Sequence, residues 1–198
     1  MADEIVSVGV PVLNSIVHMQ TTFSLMNMAL FSREYMLDFL VTNNTQIVTA
    51  RREIVQGAQK AHADYLLFID SDMHFERDLL KRLLADKKDV VGAYYHQRSM
   101  PLLPTARIKD KDTGIYRVPE VYEMAYDKPF ECDAVGAGCM LIDMKVFTVI
   151  EKPWFAYIDD EKYPMGEDVW FCQQVKKAGF SVWCDPTLSV KHIGEYPY

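Results

Sequence analysis

The chain has 198 residues, of which 49% are hydrophobic and 25% are charged, a composition typical of one soluble globular domain with a substantial core. Its formal net charge of -7 provides no basic field, which disfavours nucleic acid and anionic membranes as partners. The cysteines form no C-x-x-C pair, and we expect reduced, buried thiols in a reducing compartment. They are Cys132, Cys139, Cys172 and Cys184.

The stretch 5–32 contains no Asp, Glu, Lys or Arg. Pro11, Asn14, His18 and Gln20 interrupt its hydrophobicity, and the residues before it are acidic where a signal peptide would be basic. We therefore expect a buried strand and a core helix here instead of a membrane span, and a cytoplasmic protein.

In the first half of the chain, apolar strands alternate with amphipathic helices. The pattern predicts strands over 5–10, 36–41, 65–69 and 89–95 and helices over about 22–31, 46–61 and 76–87. The first strand is expected to stop at Pro11. This order is typical of an α/β fold with a mostly parallel central sheet and helices on both faces.

The pattern changes in the second half. Prolines and alternating Tyr and Val residues predict short antiparallel strands or an irregular insertion over 101–130. A strand is expected over 135–142, where small residues allow a ligand or another backbone to approach closely. Gly166 precedes a helix whose end is marked by two lysines and Gly179, and two short strands over 180–184 and 188–192 follow.

The strand over 65–69 leads directly into Asp70-Ser71-Asp72. Ligands collect beyond the carboxyl ends of strands in open α/β sheets, so the two carboxylates can share a divalent cation and the phosphates it carries. The alternative is an acidic turn in which Asp72 or a neighbour caps the following helix. The spacing alone supports both interpretations.

Other polar residues stand at the edges of predicted elements, and each has two explanations. Glu167 and Asp168 are candidates for a general base, but acids are also favoured at a helix start by the helix dipole. His192 is a candidate metal ligand or a structural histidine. Arg51 and Arg52 would contact phosphate or lie on a solvated helix face.

Several short segments occur in a characteristic order: Val8-Gly9-Val10-Pro11, Thr49-Ala50-Arg51, Asp70-Ser71-Asp72, Gly136-Ala137-Gly138, Gly166-Glu167-Asp168 and Lys191-His192. The most specific part runs from Glu167-Asp168 through Ala178-Gly179-Phe180 and Asp185-Pro186 to His192. In order and spacing, these segments resemble the landmarks of GT-A fold glycosyltransferases, especially the family 2-like group. The resemblance covers nearly the whole chain.

This resemblance implies a metal-dependent transfer of one sugar from a UDP- or GDP-linked donor to a hydroxyl acceptor. Asp70 and Asp72 would form a DxD motif that holds Mn²⁺ or Mg²⁺ with the donor diphosphate, and His192 would be a further ligand. Asp168, with Glu167 beside it, would be the base that activates the acceptor hydroxyl, and we expect inversion. One domain, 1–198, would comprise a nucleotide-binding half over about 1–95 and an acceptor and catalytic half over about 96–198.

The resemblance also implies which residues contact the substrates. Donor contacts would come from Pro11, Asn14, Asn43, Arg51, Asp70, Ser71, Asp72, Gly136, Ala137 and Gly138. Acceptor contacts would come from the 94–130 insertion, Trp154 and Trp170. The acceptor stays open among a glycan, a lipid-linked sugar, a protein and a modified base.

Three departures from the family pattern matter. Arg52 stands where the family often has Asn, which leaves that contact open. The Gln-x-x-Arg-Trp segment of processive synthases is absent, which favours transfer of a single sugar. The chain is also short for the family, so little sequence is left for a separate acceptor domain.

Other functions fit the sequence less well. Haloacid-dehalogenase-like phosphohydrolases also place Asp-x-Asp after a strand, with the first Asp as nucleophile. That class places the motif near the first strand and usually has Thr or Val where this chain has His74. A sugar nucleotidyltransferase would carry a glycine-rich, Arg-containing loop after the first strand, which 11–14 does not supply. The non-enzymatic alternative is a nucleotide- or carbohydrate-binding module, and the presence of both acidic pairs argues against it.

Overall fold

The structure, a computed structural model, describes residues 4–43, 45–98, 100–159 and 164–194. The helices are α1 (Met19–Phe31), α2 (Ile47–Lys60), α3 (Leu79–Ala85), α4 (Val146–Val149) and α5 (Glu167–Lys177). The strands are β1 (Ile5–Val12), β2 (Met36–Asn43), β3 (Tyr65–Ile69), β4 (Met73–Phe75), β5 (Val90–Ala93), β6 (Ile108–Lys109), β7 (Tyr116–Arg117), β8 (Phe130–Cys132), β9 (Cys139–Asp143), β10 (Val182–Asp185) and β11 (Val190–His192).

The centre of the molecule is a seven-stranded sheet with the order β2-β1-β3-β9-β5-β10-β8. Five of its strands, β1, β2, β3, β5 and β10, run in one direction, and β8 and β9 run in the other. Two small antiparallel sheets, β4 with β11 and β6 with β7, lie outside it. The predicted α/β fold with a mostly parallel central sheet is confirmed.

Helices cover both faces of this sheet. Buried side chains of α2 and α5, including Ile54 and Phe171, pack on one face, and those of α1 and α3, including Met28 and Leu80, pack on the other. The alternating side chains of β1 explain this arrangement, since Val6, Val8 and Val10 all belong to the α1 and α3 side. The sheet therefore has a hydrophobic layer on each face.

Gly9 lets β1 approach α2 closely. A Cβ atom at this position would lie 2.3 Å from Cγ2 of Ile54, so the helix or the strand would have to shift. We expect Gly9→Ala to lower the free energy of unfolding by about 1–3 kcal/mol, the usual cost of overpacking. Urea unfolding measures this value. Gly57→Ala is the matched control, because its Cβ would meet only the flexible end of Leu40 and alanine favours the helix.

Several predicted boundaries were wrong. Strand β1 continues through Pro11 because β3 pairs with β1 only as far as Gly9, and an edge position without a β3 partner tolerates a missing N–H. The strand expected over 135–142 begins only at Cys139, and the residues before it form a loop. The helix expected over 76–87 is the shorter α3, with β4 ahead of it.

The uncharged stretch 5–32 forms β1 and α1, but the expected core helix is buried on one side only. Its buried residues are Thr21, Ser24 and Met28, whereas Phe23 and Met26 on its outer side are more than half exposed. No helix within the described residues is both long and apolar enough to cross a membrane.

All four cysteines are free and buried, as predicted. Burial raises the pKa of Cys139 and of Cys172 to about 12 and also raises the pKa of Cys132 and of Cys184. A protonated thiol is a poor nucleophile and a poor metal ligand. These side chains therefore act as small apolar groups in the core.

Candidate functional site

A cavity of about 650 Å³ opens at the carboxyl end of β1 and β3. Its walls come from the end of β1, the start of α2, the turn over 70–72 and the last strand, β11. We call it the Asp72 cavity. It brings together Pro11, Asp70, Ser71, Asp72 and His192, all of which the sequence placed at one site.

The turn over 70–72 is fixed by its backbone. The Asp70 amide donates to the carbonyl of Gly138 at 2.9 Å, and the carbonyl of Ser71 accepts from the amide of His18 and the hydroxyl of Thr21. The carbonyl of Asp72 accepts from the amide of Ile193 at 2.7 Å. Neither carboxylate caps the next helix, since α3 begins only at Leu79. The capped-turn interpretation is therefore wrong.

Asp72 is a largely buried carboxylate between two cationic or imidazole groups. Its Oδ2 lies 2.8 Å from Nη1 of Arg98, and its Oδ1 lies 3.3 Å from Nε2 of His192. Burial opposes ionisation, but the effects of His192 and then Arg98 outweigh it, so the pKa of Asp72 is lowered. The carboxylate is accordingly charged at neutral pH.

One oxygen of this carboxylate lacks a well-aligned hydrogen-bond donor. Oδ1 of Asp72 is buried and receives no well-aligned hydrogen bond from the described residues, although His192 is close. Nδ1 of His192 lies 3.3 Å from the carbonyl of His96, and Nε2 on the other side of the ring faces Oδ1 of Asp72. A carboxylate oxygen and an imidazole nitrogen are both common metal ligands, so a cation could replace the proton shared by these two atoms.

Arg51 connects the 70–72 turn to the start of α5. It is 2% exposed, its Nη2 lies 3.0 Å from Oδ1 of Asp70, and its Nε lies 3.3 Å from Oε1 of Glu167. Nη1 donates to the carbonyl of Ala137. Burial lowers the pKa of this guanidinium, but the charges of Asp70 and Glu167 outweigh that effect and raise it. The interpretation of Arg51 as part of a solvated helix face is therefore wrong.

Gly136 and Gly138 leave space for the side chain of Tyr95. A Cβ on Gly136 would lie 2.4 Å from the hydroxyl oxygen of Tyr95, and a Cβ on Gly138 would lie 2.6 Å from it. The amide of Gly138 donates to that hydroxyl at 2.9 Å. Burial, then the charges of Asp70 and Asp168, raise the pKa of Tyr95. The space beside these two glycines is therefore filled by the buried Tyr95 side chain.

A second cavity, of about 480 Å³, lies between the 94–130 insertion and the start of α5. We call it the Asp168 cavity, and its walls include Thr105, Arg107 and Tyr116 from the insertion. Burial, then the neighbouring charge of Glu167, raise the pKa of Asp168 to about 6. This carboxyl is half-buried, with Oδ1 accepting from the amide of Val169 at 2.8 Å. A carboxyl group with a pKa raised in this way can accept a proton near neutral pH.

The remaining predicted residues lie at the border of these cavities or away from them. Asn43 bonds to the backbone and hydroxyl of Ser15, and Asn14 has a positive φ in the same exposed loop. Trp154 is 4% exposed and packs on Phe147, so it is a core residue. The indole of Trp170 donates to the carbonyl of Pro153. Within the described residues, neither Trp lines the Asp72 or the Asp168 cavity.

Sequence reasoning did not single out four residues of the site, although three of them fall within the 94–130 segment that it assigned to acceptor contacts: Tyr95, Arg98, Arg107 and, outside that segment, Tyr157. Tyr95 and Arg98 follow the strand β5, and polar residues after a buried strand were the available signal. Arg107 and Tyr157 lie in segments without regular periodicity. For them the sequence contained no comparable signal.

The fold and the gathered carboxylates define an α/β protein with a polar site at the carboxyl edge of its sheet. No family model and no curated protein matches the chain. Among solved structures, it is similar to A197 from STIV, with a TM-score of 0.64 over 96% of this chain and 86% of that chain. The two sequences are 16% identical, so the similarity shows a shared fold.

Proposed function

We propose that the protein is a metal-dependent glycosyltransferase that moves one sugar from a nucleoside-diphosphate donor to a hydroxyl acceptor. One observation carries the proposal: two cavities meet the same buried network of charges. Asp70 and Asp72 line the first cavity, Asp168 lines the second, and Arg51 bridges Asp70 to Glu167 beside Asp168. A group-transfer enzyme holds its two substrates next to each other, and two cavities that share one charged network provide such adjacent sites.

The donor would occupy the Asp72 cavity. Its base and ribose would lie against Pro11 and the start of α2, and its diphosphate would lie near Asp72 and Arg98. The charge of Arg98 supports this orientation, since it is half exposed and lies at the cavity wall. Asp70 pairs with the buried Arg51. Asp72, in contrast, pairs through Oδ2 with the half-exposed Arg98 and leaves Oδ1 to a cation, which makes Asp72 the better metal ligand.

Asp72 and His192 are the residues that would hold Mn²⁺ or Mg²⁺. The described residues include no group of three or more His, Cys, Asp or Glu arranged around one metal position. The fit rests on the buried, unsatisfied Oδ1 of Asp72 and on the neighbouring Nε2 of His192. When bound with donor oxygens and water, such an ion stabilises the charge of a diphosphate leaving group.

The acceptor would occupy the Asp168 cavity. Asp168 would take the proton of its hydroxyl, and the pKa of about 6 leaves the carboxyl mostly ionised at neutral pH. The mixed lining of Tyr116, Ile115 and Arg107 suits a sugar-sized acceptor, which presents both apolar faces and hydroxyl groups. A direct displacement with this base would invert the anomeric centre.

Thermal unfolding with a panel of nucleoside diphosphates and nucleotide sugars tests the proposal. A donor at about 100 times its dissociation constant should stabilise the protein by about 2.7 kcal/mol, roughly 5–10 °C in Tm, when Mn²⁺ is present. Asp72→Asn should remove most of this metal-dependent shift, because a neutral amide is a weaker ligand than a carboxylate. The exposed Asp127→Asn is the control. An unchanged shift in Asp72→Asn would remove Asp72 from the metal site.

A further inference from the structure

Helix α1 buries two polar side chains beside Met28 and leaves several large apolar side chains exposed to solvent. The buried hydroxyl of Ser24 donates to the carbonyl of Phe75 at 2.9 Å, and the buried hydroxyl of Thr21 donates to the carbonyl of Ser71 at 3.0 Å. Met19, Phe23 and Met26 on the outer side are 68%, 56% and 55% exposed. A surface helix normally shows the opposite pattern. The outer side of α1 is therefore a candidate interaction surface.

Strand β2 extends this apolar surface. Phe39 and Val41 are 43% and 62% exposed and form, with Met26 and Val17 of the α1 region, an apolar groove of about 380 Å³. We call the outer side of α1 together with β2 the α1/β2 face. Large apolar side chains exposed next to one another in this way mark interaction surfaces more often than isolated exposed residues do.

The position of β2 indicates what covers this face. β2 is the edge strand of the central sheet and pairs with β1 alone among the described residues. Its other edge presents unpaired backbone N–H and C=O groups beside the apolar groove. Lipid cannot satisfy those groups, but another strand can. The net charge of -7 and the uncharged sequence of α1 also give no attraction to an anionic membrane.

We propose that the α1/β2 face binds a second copy of this chain, with the two β2 strands paired antiparallel across a two-fold axis. Such an axis, perpendicular to the sheet, brings the two α1 helices to the same side, where their apolar faces adjoin. A stable interface of standard size buries roughly 800 Å² per copy, so the exposed apolar side chains of both α1 and β2 would have to lie within it. The one charged residue of β2 is Asp38. The two Asp38 side chains would face each other in only one register of the antiparallel pair, so every other register avoids this repulsion.

This interface would border the Asp72 cavity. Leu13 is 63% exposed, lines that cavity and lies four residues before Val17, which lines the apolar groove of the α1/β2 face. The dimer does not depend on the glycosyltransferase proposal, because it follows from the exposed surface and the sheet edge alone. Its test therefore needs no donor, acceptor or metal.

Sedimentation velocity on the unmodified chain should give a species of twice 22.8 kDa at micromolar concentration. Val41→Lys should raise the dimer dissociation constant on the order of 100-fold, because the two-fold axis places the buried charge in the interface twice. Val149→Lys is the matched control: Val149 is 55% exposed on α4, outside the face, and the dimer should persist. Phe23→Glu tests the same face from α1 if Val41→Lys fails to fold.

Three results would overturn the proposal. The first is a monomeric unmodified chain. The second is a dimer that survives both Val41→Lys and Phe23→Glu in variants whose circular dichroism shows a normal fold. The third is a monomer that co-sediments with neutral phosphatidylcholine vesicles through the same face, which would assign the surface to lipid.

Discussion

For the proposed glycosyltransferase, Asp168→Asn is expected to abolish sugar transfer while making the protein more stable at pH 8. Loss of a general base lowers the rate by roughly 10²–10⁴-fold, and the amide cannot take the proton of the acceptor hydroxyl. The gain in stability has a separate cause. The ionised carboxyl of Asp168 is half-buried beside Glu167, so the folded state disfavours its charge.

The pH dependence of this gain follows from the raised pKa. Folding raises the pKa of Asp168 from 3.8 to about 6, so the folded protein binds this proton more tightly than the unfolded chain. The charged carboxyl therefore destabilises the fold above pH 6 and has no such effect below pH 4. A shift of two pKa units corresponds to a destabilisation of at most about 3 kcal/mol by the charged carboxyl. The asparagine also loses the favourable interaction of that charge with the dipole of α5, so the expected net gain in stability is about 1–2 kcal/mol.

Urea unfolding at several pH values measures the difference between Asp168→Asn and the unmodified protein. The variant should be more stable at pH 8, and the difference should shrink as the pH falls from 6 to 4. Asp112→Asn, at an exposed position, should show no such dependence. Normal transfer by Asp168→Asn would remove Asp168 from the base role, and equal stability at pH 8 would show that its carboxyl is well solvated.

Local patterns were sufficient to predict α5. Two acids at its start, two lysines at its end and Gly179 with φ +87° are signals that act within one turn of the helix. The predicted and observed ends accordingly agree. Strand β9 shows the limit of this reasoning, because an apolar run indicates a buried strand without revealing its neighbours. Its antiparallel place between β3 and β5 depends on pairing with residues more than 40 positions away.

The sequence could not decide how α1 packs. Apolar residues at helical spacing predict that one side of a helix is covered, but the same pattern arises whether the cover is the protein's own core or a partner. Thr21 and Ser24 turn inward because Ser71 and Phe75 offer carbonyl acceptors there. Those acceptors lie about 50 residues further along the chain, where a local pattern carries no information about them.

Arg51 was ambiguous for a similar reason. A charged residue on an amphipathic helix normally marks the solvated side, although Arg51 also lies three and four positions before the buried Ile54 and Val55. Burial of the guanidinium is favourable here because Asp70 and Glu167, 19 and 116 residues away, supply opposite charges. Only the folded chain brings those carboxylates together.

Arg51→Met should therefore be strongly destabilising, by about 3–5 kcal/mol at neutral pH. Methionine fills a similar volume against Phe68, whose ring centroid lies 5.1 Å from the guanidinium, so the loss is mainly electrostatic. It leaves the carboxylates of Asp70 and Glu167 without their cation, close to Asp168. It also removes a charge that lowers the pKa of Asp168, so the deficit in the free energy of unfolding should decrease as the pH is lowered towards 4 and Asp168 takes up its proton.

Two variants isolate the cause of this loss. Arg52→Met, one position further on the same helix, removes hydrogen bonds to the carbonyl of Phe155 and should cost only about 1 kcal/mol. Adding Glu167→Gln to Arg51→Met removes one of the orphaned charges and should restore part of the stability, a non-additive result that a double-mutant cycle detects. If the effects of the two substitutions on the free energy of unfolding are additive, Arg51 does not act as the counter-charge of Glu167. Charge balance would then no longer explain why this arginine is buried between the two cavities.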